Sequence, residues 1–511
     1  MEQQYFLTID NGGTNTKVVI FDQAGTQVAA QAFPTRGLEP HAGFHEIDLA
    51  QLYQDLGTNT KKSLAEAGLT GDQISGVATV GHGKGLYTLD KNLKPLRNGI
   101  LSADSRATEL AEEFEGRVSE IFPISHQHVM PSQAPVILRW LKDNDPSWYQ
   151  EIGAVLSNKD FIGYLLTNEV KQELGDASGN NFLNLPEKRY DQRLFDFFGI
   201  EEVFDCMPTL MRATEQRGII TPAAATVTGL AAGTPVFGGM FDIDACSIAT
   251  GVLDDSMFSI IAGTWNMNIF PSETMASEET GLMNSIFPTG KWLVEASSPT
   301  SAGNLAIMLK MLMTSEIDNA KADGHSIYDD LEVFLQTTDA RFSKVLFFPF
   351  LYGSNADPDA EGTFIGIRSN TTKSELIRAV YEGIAFAHRY HVDKLLAVRG
   401  QKPTVVRMSG GGTNSKQWVQ IFANILGIPV ELVSATELGG LGGAMASAVG
   451  LGVYPDLNAA VDQMVTVSAR FEPQEEQVAI YDQKYQSYVT MLEALNGSWR
   501  QFKSMQERID L

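Results

Sequence analysis

The sequence predicts an α/β protein of two similarly built domains, and three observations carry that prediction. Two hairpin patterns lie about half a chain apart, at 5–22 (YFLTIDNGGTNTKVVIFD) and 258–270 (FSIIAGTWNMNIF). In each, two β-rich runs flank a turn containing Gly-Thr. Strand patterns alternate with helical ones along the whole chain, as in α/β architectures. The 511 residues, 43% of them hydrophobic, are enough for two to four domains at about 100–200 residues each.

Taken in order, Tyr5–Ile9 and Lys17–Phe21 form the first hairpin, and the run GVATV leads into a Gly-His-Gly-Lys-Gly loop at 81–85. The stretch VLDDSM at 252–257 precedes the second hairpin, which divides the chain into 1–254 and 255–511. Without a low-complexity linker there, the halves are expected to pack around a cleft. Val345–Tyr352 (VLFFPFLY) reads as a buried strand interrupted by Pro349, far short of the ~20 residues of a membrane span. A helix is predicted over 373–397, with Thr372 and Glu375 as a capping box and Leu376, Val380, Ile384, Ala387 and His391 along one face. Residues 404–426 read as strand, turn and helix. Residues 471–499 read as an amphipathic helix striped by Tyr481, Tyr485, Tyr488 and Leu492.

The formal charge of −24 argues against nucleic-acid binding through a general basic surface. A polyanionic ligand must then be held by backbone N–H groups, helix starts, a few cations or a metal ion. The two cysteines, Cys206 and Cys246, make no zinc spacing and no disulfide framework, and read as buried free thiols. The opening MEQQYFLTID has no signal-peptide pattern, so a cytoplasmic protein without membrane attachment is expected.

Six local motifs carry chemistry. Asp10-Asn11-Gly12-Gly13-Thr14-Asn15-Thr16-Lys17 is a glycine-rich turn whose amides can approach phosphate oxygens. Asp10 can hold Mg²⁺ through water, and Lys17 either supplies charge or faces solvent. Gly263-Thr264 is a similar turn. Ser409-Gly410-Gly411-Gly412-Thr413-Asn414 permits close approach of a flat ligand or a phosphate, or is a plain strand-to-helix turn. In Gly238-Gly239-Met240-Phe241-Asp242-Ile243-Asp244, either aspartate can be a general base or a helix cap. His82 and Lys84 sit in the glycine-spaced loop, where a polar substrate can bind. Asp104-Ser105-Arg106 is a hydroxyl clamp or a surface ion pair. Walker A, G-x-S-x-G, H-E-x-x-H and G-x-G-x-x-G patterns are absent. His388 and His391 read as packing residues.

The order of these motifs over essentially the full length resembles the FGGY carbohydrate kinase family. The matching stretches include DNGGTNTK, GHGKG, LSADSR, SQAPVILRWL, SNKDFIGYLLT, GDASGNNFLN, GGMFDID, AGTWN, FPFLYGSNADPDAEGTFIGI, MSGGGTNSKQW and LGGLGGAMASAVGLG. The resemblance implies two actin-like domains of the sugar kinase, heat-shock ATPase and actin type (ribonuclease H-like), with ATP and sugar meeting in a central cleft. It implies Asp10 as the water-mediated Mg²⁺ contact, with Thr14, Asn15 and Lys17 in the first phosphate motif beside Gly13. Gly263 and Thr264 match the second phosphate turn, and Gly411, Gly412 and Asn414 the adenosine motif. Asp242, rather than Asp244, matches the catalytic base. His82, Lys84 and Asp104 fall at substrate-loop positions.

Within the family, GKGLYTLDKN, NGILSADSRA, EASSPTSAGNL and FFPFLYGSNA resemble the L-xylulose kinases, also called 3-keto-L-gulonate kinases. The D-xylulose kinases are expected to carry Gln-Met-His-Gly where this chain has His-Gly-Lys-Gly. The implied activity is ATP-dependent phosphorylation of a terminal sugar hydroxyl, with domain closure excluding water. The implied partners are ATP, Mg²⁺ and a small sugar, with a homodimer as a family expectation. The alternatives are a kinase for D-xylulose, L-ribulose or glycerol, and a non-catalytic ATP-binding sensor on the same fold.

Overall fold

The computed structural model describes residues 3–354 and 356–509; Asn355, within one of the stretches quoted above, lies outside them. The chain divides into two compact units. The first comprises residues up to Leu253 with Pro271–Val294 and Ser434–Thr466; the second comprises Asp254–Phe270, Glu295–Val433 and the chain from Val467.

The first unit is built on strands β1 (Tyr5–Asn11), β2 (Asn15–Asp22), β3 (Gln27–Pro34), β4 (Ile74–Gly81), β5 (Gln216–Ile219) and β6 (Pro235–Phe241), in the order β5-β6-β4-β1-β2-β3. β1 pairs antiparallel with β2, setting Asp10 opposite Lys17, and parallel with β4, setting Asn11 beside Gly81. β4 in turn runs parallel to β6. The period-2 alternation of β1 sends Leu7 and Ile9 into a core shared with Leu52 and Leu56 of the helix Leu49–Ala67. Its opposite face, carrying Thr8 and Asp10, meets the glycine-rich helix Leu438–Gly450. Gly439, Gly440, Gly442 and Gly443 lower that helix's intrinsic propensity by about 1 kcal/mol each. They are required because added Cβ atoms would lie 2.4 Å from Thr8 at Gly443, 2.6 Å from the Ala245 carbonyl at Gly442 and 2.3 Å from the Asp10 carboxylate at Gly439.

The second unit repeats this construction with β7 (Met257–Ala262), β8 (Asn266–Ser272), β9 (Trp292–Ser298), β10 (Val405–Ser409), β11 (Val430–Val433) and β12 (Val467–Phe471). They follow the order β9-β8-β7-β10-β11-β12. β7 pairs antiparallel with β8 and parallel with β10. Each unit therefore sets a hairpin beside a parallel strand that ends in a glycine loop: GHGKG after β4 and SGGGTN after β10.

The helix Lys373–Arg399 carries the expected Thr372–Glu375 capping box. The strand Leu346–Phe348 stops before Pro349. The helix expected over 471–499 instead begins at Glu475 and ends at Leu495, because residues up to Phe471 pair with β11 as an edge strand. Tyr481, Tyr485, Tyr488 and Leu492 form its buried stripe, as expected. Cys206 and Cys246 are free thiols, each half-buried rather than fully buried.

One backbone feature aims β6. Its register against β4 shifts between Phe237 and Met240. There Gly239 has φ of 70°, and an added Cβ would sit 1.7 Å from the Thr79 carbonyl oxygen. Only glycine fits such a bulge. Gly239→Ala is expected to cost at least about 2 kcal/mol in urea denaturation; a loss within a few tenths of wild type would refute this account of the bulge.

Candidate active site

Asp10 ends the buried run of β1, and Asp242 begins the helix Asp242–Ala249 directly after β6. Phe241 occupies the cap position with no side-chain cap, so Asp242 is the first helical residue rather than the cap. Asp244, two residues further along the helix, is fully buried, whereas Asp242 keeps a partly open side. Burial pushes the Asp10 carboxyl up to about 6, with Lys17 pulling it down and Glu437 pushing it up. Burial likewise pushes Asp242 up to about 8; repulsion from Asp10 and Asp176 adds to this, and Lys84 opposes it. Asp176 rises to about 7 by burial. These three carboxyl groups therefore share one poorly solvated region, and Lys84 is the cation acting on Asp242.

Lys17 donates to Glu437 at 2.6 Å, just before the glycine helix, so its charge is held by a partner within the protein. The turn between β1 and β2 keeps Gly13, Thr14 and Asn15 exposed, and the Gly12 N–H closes onto the Asn15 carbonyl at 3.0 Å. Lys84 is half-buried with a left-handed backbone at φ 64°, followed by Gly85 at φ 77°. Gly83 lies against the Phe241 ring, where an added Cβ would come to 2.4 Å. The loop therefore packs on the residue that precedes Asp242.

His82 points inward. Its Nε2 lies 3.2 Å from Tyr87 Oη, its Nδ1 lies 3.2 Å from the Gly83 carbonyl, and burial pulls its pKa down to about 4. The Asp104–Arg106 pair is a buried clamp, not a surface ion pair. Asp104 accepts from Arg106 Nε at 2.9 Å and from the His45 N–H at 2.7 Å, while Arg106 also binds Glu46 at 2.8 Å and lies over Phe44. Residues from elsewhere in the chain cover it, which its own tripeptide could not reveal.

In the second unit, the exposed Gly263-Thr264 turn meets two other backbone segments. Gly410, at φ 87°, sits so close to Ala262 and Gly263 that a Cβ would come within 2.8 Å, and Gly412 abuts the Ala262 side chain. Gly303, in the first turn of the helix Ala302–Leu312, touches Thr264. Gly263, Thr264, Gly411, Gly412 and Asn414 are thus gathered at one place, with Gly411 and Asn414 exposed in a 3₁₀ turn. The motif readings did not single out Asn11, Tyr87, Asn158, Asp176 or Glu437. Asn158 and Asp176 sit inside SNKDF and GDASG, but the partners of Asn158 lie too far along the chain for any spacing to reveal them.

Among the described residues no three His, Cys, Asp or Glu side chains converge as a metal cage. Mg²⁺ does not demand one; it keeps most of its waters and takes one or two carboxylates plus substrate phosphates. The crowded, poorly solvated Asp10 and Asp242 fit that requirement. No helix among the described residues is long and apolar enough to cross a membrane.

The fold is one shared by solved sugar kinases. The sequence profile of the FGGY family of carbohydrate kinases, N-terminal domain, matches residues 5–249, and that of the C-terminal domain matches residues 258–451. The chain belongs to this family and is a carbohydrate kinase. It is 32% identical to an L-xylulose/3-keto-L-gulonate kinase of Escherichia coli (strain K12), over 97% of this chain and 98% of that protein. It is also 32% identical to a probable L-xylulose kinase of Haemophilus influenzae, over 96% and 99% of the two chains. The crystal structure of xylulose kinase from Rhodospirillum rubrum superposes with a TM-score of 0.86 at 26% identity, covering 98% of this chain and all of that one.

The raised carboxyl has a consequence for stability. A carboxyl held at about 8 when folded but near ~4 when unfolded costs nothing below the lower value. It destabilises the ligand-free fold progressively as pH rises between the two, and fully above the higher one. Asp242→Asn should therefore raise Tm by a few degrees at pH 8.5 and by much less at pH 5, in calorimetry of the ligand-free protein. A Tm gap that does not widen with pH would contradict the assigned crowding.

Proposed function

We propose that the protein transfers the γ-phosphoryl group of ATP to a terminal hydroxyl of L-xylulose or 3-keto-L-gulonate, with Asp242 as general base. The observation that carries this reading is the partly open, poorly solvated Asp242 carboxyl at a helix start, beside Lys84 and in the same charged region as Asp10. A raised pKa places this base near the operating pH, where proton transfer is efficient. The substrate assignment rests on the names of the relatives at 32% identity.

In this reading Asp242 accepts the proton of the sugar hydroxyl as its oxygen attacks the γ-phosphorus and the bond to the ADP oxygen breaks. Gly13, Thr14 and Asn15 supply donors to the phosphates, with Lys17 completing the motif through its pair with Glu437. Gly263 and Thr264 serve a phosphate in the second unit, and Gly411, Gly412 and Asn414 the nucleoside. Asp10 would hold Mg²⁺ through water; when bound, the ion neutralises phosphate charge. His82 and Asp104 shape the sugar loop, and residues 1–254 and 255–511 serve chiefly the sugar and the nucleotide respectively.

The test is ADP release with L-xylulose, 3-keto-L-gulonate, D-xylulose, L-ribulose and glycerol. The highest kcat/KM should fall on one of the first two, and Asp242→Asn should lower kcat by about 10²-fold or more. A preference for another sugar would replace the substrate, no turnover with any would favour a sensor, and near-normal turnover in the variant would remove Asp242 from its role.

Lys84 is the cation in this loop suited to the carboxylate that distinguishes 3-keto-L-gulonate from L-xylulose. A charge-assisted bond of that kind is worth about 1.5–3 kcal/mol. Lys84→Met should accordingly raise KM for the acid roughly tenfold or more beyond its effect on L-xylulose. Equal changes for the two sugars would end that assignment.

A further inference from the structure

β1 and β4 run side by side and release the first phosphate turn and the GHGKG loop from the same edge, with the His82 N–H bonded to the Asn11 carbonyl at 3.1 Å. Behind that edge, one buried chain of side-chain hydrogen bonds links the two loops through Asn158, the first residue of the helix Asn158–Thr167. The Asn158 Nδ2 donates twice, to Asn11 Oδ1 at 2.6 Å and to Tyr87 Oη at 2.8 Å.

Each branch then has a single consistent direction. On one side, the Asn11 Nδ2 donates to Thr16 Oγ1, Thr16 lies 3.0 Å from Thr35, and Thr35 donates to the Gly12 carbonyl at 2.8 Å. Because the Thr35 proton goes to Gly12, the Thr16 hydroxyl donates to Thr35. On the other side, Tyr87 has accepted from Asn158 and donates to His82 Nε2, which leaves the His82 Nδ1–H for the Gly83 carbonyl. The chain thus ends on a backbone carbonyl in each loop. Asn11, Thr16, His82, Tyr87 and Asn158 are all buried, so water cannot replace a missing link at no cost.

We propose that Asn158 is a positioning residue that fixes the phosphate turn and the sugar loop to each other as one unit, through Asn11–Thr16–Thr35 on one arm and Tyr87–His82 on the other. It touches neither substrate; it sets the relative placement of the groups that do. This proposal rests on the kinase reading above. A shared chain predicts a dependence that separate local supports would not. Once one link is broken the side-chain path between the two loops is already cut, leaving only the backbone pairing of β1 with β4, and a second break elsewhere in the chain adds little.

The test is a double-mutant cycle on Tyr87→Phe and Thr16→Val, which remove one hydroxyl at each end while keeping shape, read as kcat/KM for both the sugar and ATP. Each single variant should lose roughly fivefold to tenfold, on the scale of one buried hydrogen bond. The double variant should lose little more than the worse single. Thr16→Ser, which keeps the hydroxyl, should restore the activity lost in Thr16→Val. Losses that multiply in the double variant, or single variants with wild-type kcat/KM, would overturn the proposal. Should either variant fail to fold, Asn158→Ala combined with the remaining one closes the same cycle. Wild-type protein that phosphorylates none of the sugars would instead overturn the kinase reading, which separates the two failures.

Discussion

The close approach of the Leu438–Gly450 helix to β1 is the constraint on which the candidate active site depends. Gly439, Gly442 and Gly443 let this helix lie directly on Asp10, on the start of the Asp242–Ala249 helix and on Thr8, and the Thr8 hydroxyl ties to the Gly440 carbonyl at 2.8 Å. Any side chain at these positions would lift the helix away, admit water and relax the carboxyl groups toward ordinary acidity. The same glycine face also brings Glu437 to Lys17. The helix therefore sets the desolvation of Asp10, and repulsion from Asp10 adds to the rise that burial itself gives Asp242.

This arrangement explains how a strongly acidic chain handles an anionic substrate. A net charge of −24 provides no long-range attraction for ATP, and the carboxyl groups around Asp242 add local repulsion. On the proposed reading, binding therefore comes from short-range donors: exposed turn amides and Thr hydroxyls, with Mg²⁺ at Asp10 when the ion is bound. Local donors act only at contact, so their placement matters more than their number. A ligand-free protein that carries this repulsion is less stable than it could be; under the role proposed for Asp242, that is the cost of a carboxylate kept basic enough to take a proton near neutrality.

The parts of the fold written locally in the sequence were legible there. The two hairpins depend on turn residues a few positions apart, and the Thr372–Glu375 box closes within one helical turn. The aromatic stripe of the last long helix was legible, but its start was not, because Val467–Phe471 becomes a strand only by pairing with β11. In the catalytic region Asp10, Asp242 and the glycine turns were visible as motifs. The surroundings that decide what those residues do were not. Lys17 looked like a free cation because its partner lies 420 positions away. Asp104 and Arg106 stayed open between a hydroxyl clamp and a surface pair, because Glu46, Phe44 and Trp140 cover them from distant segments. Asn158 carried no signal, with partners 147 and 71 positions distant.

The second unit supports its Gly263-Thr264 turn in a parallel way. Asn266 and Asn268 of β8 bond to each other at 2.6 Å, Asn266 reaches Thr300, and Ser298 joins Thr300 to His391. His388 connects Asn268 to Ser301 at 3.0 and 2.9 Å, so the two histidines of one helix hold the 298–301 segment that leads to Gly303 and Thr264. Burial keeps both rings neutral, well below the usual histidine range. The first unit uses Asn, Thr, Tyr and a neutral His to the same end. In both units, then, a glycine turn is backed by a buried chain of polar, uncharged groups, which in the first unit stands beside Asp10 and the Lys17–Glu437 pair. Apolar side chains would fill the space without fixing the turn's carbonyls. Charged ones would cost several kcal/mol each in desolvation and would compete with the phosphate for donors or repel it. Neutral hydrogen-bonded chains avoid both faults, and under the proposed function the backbone they hold stays free to meet an anion with its N–H groups.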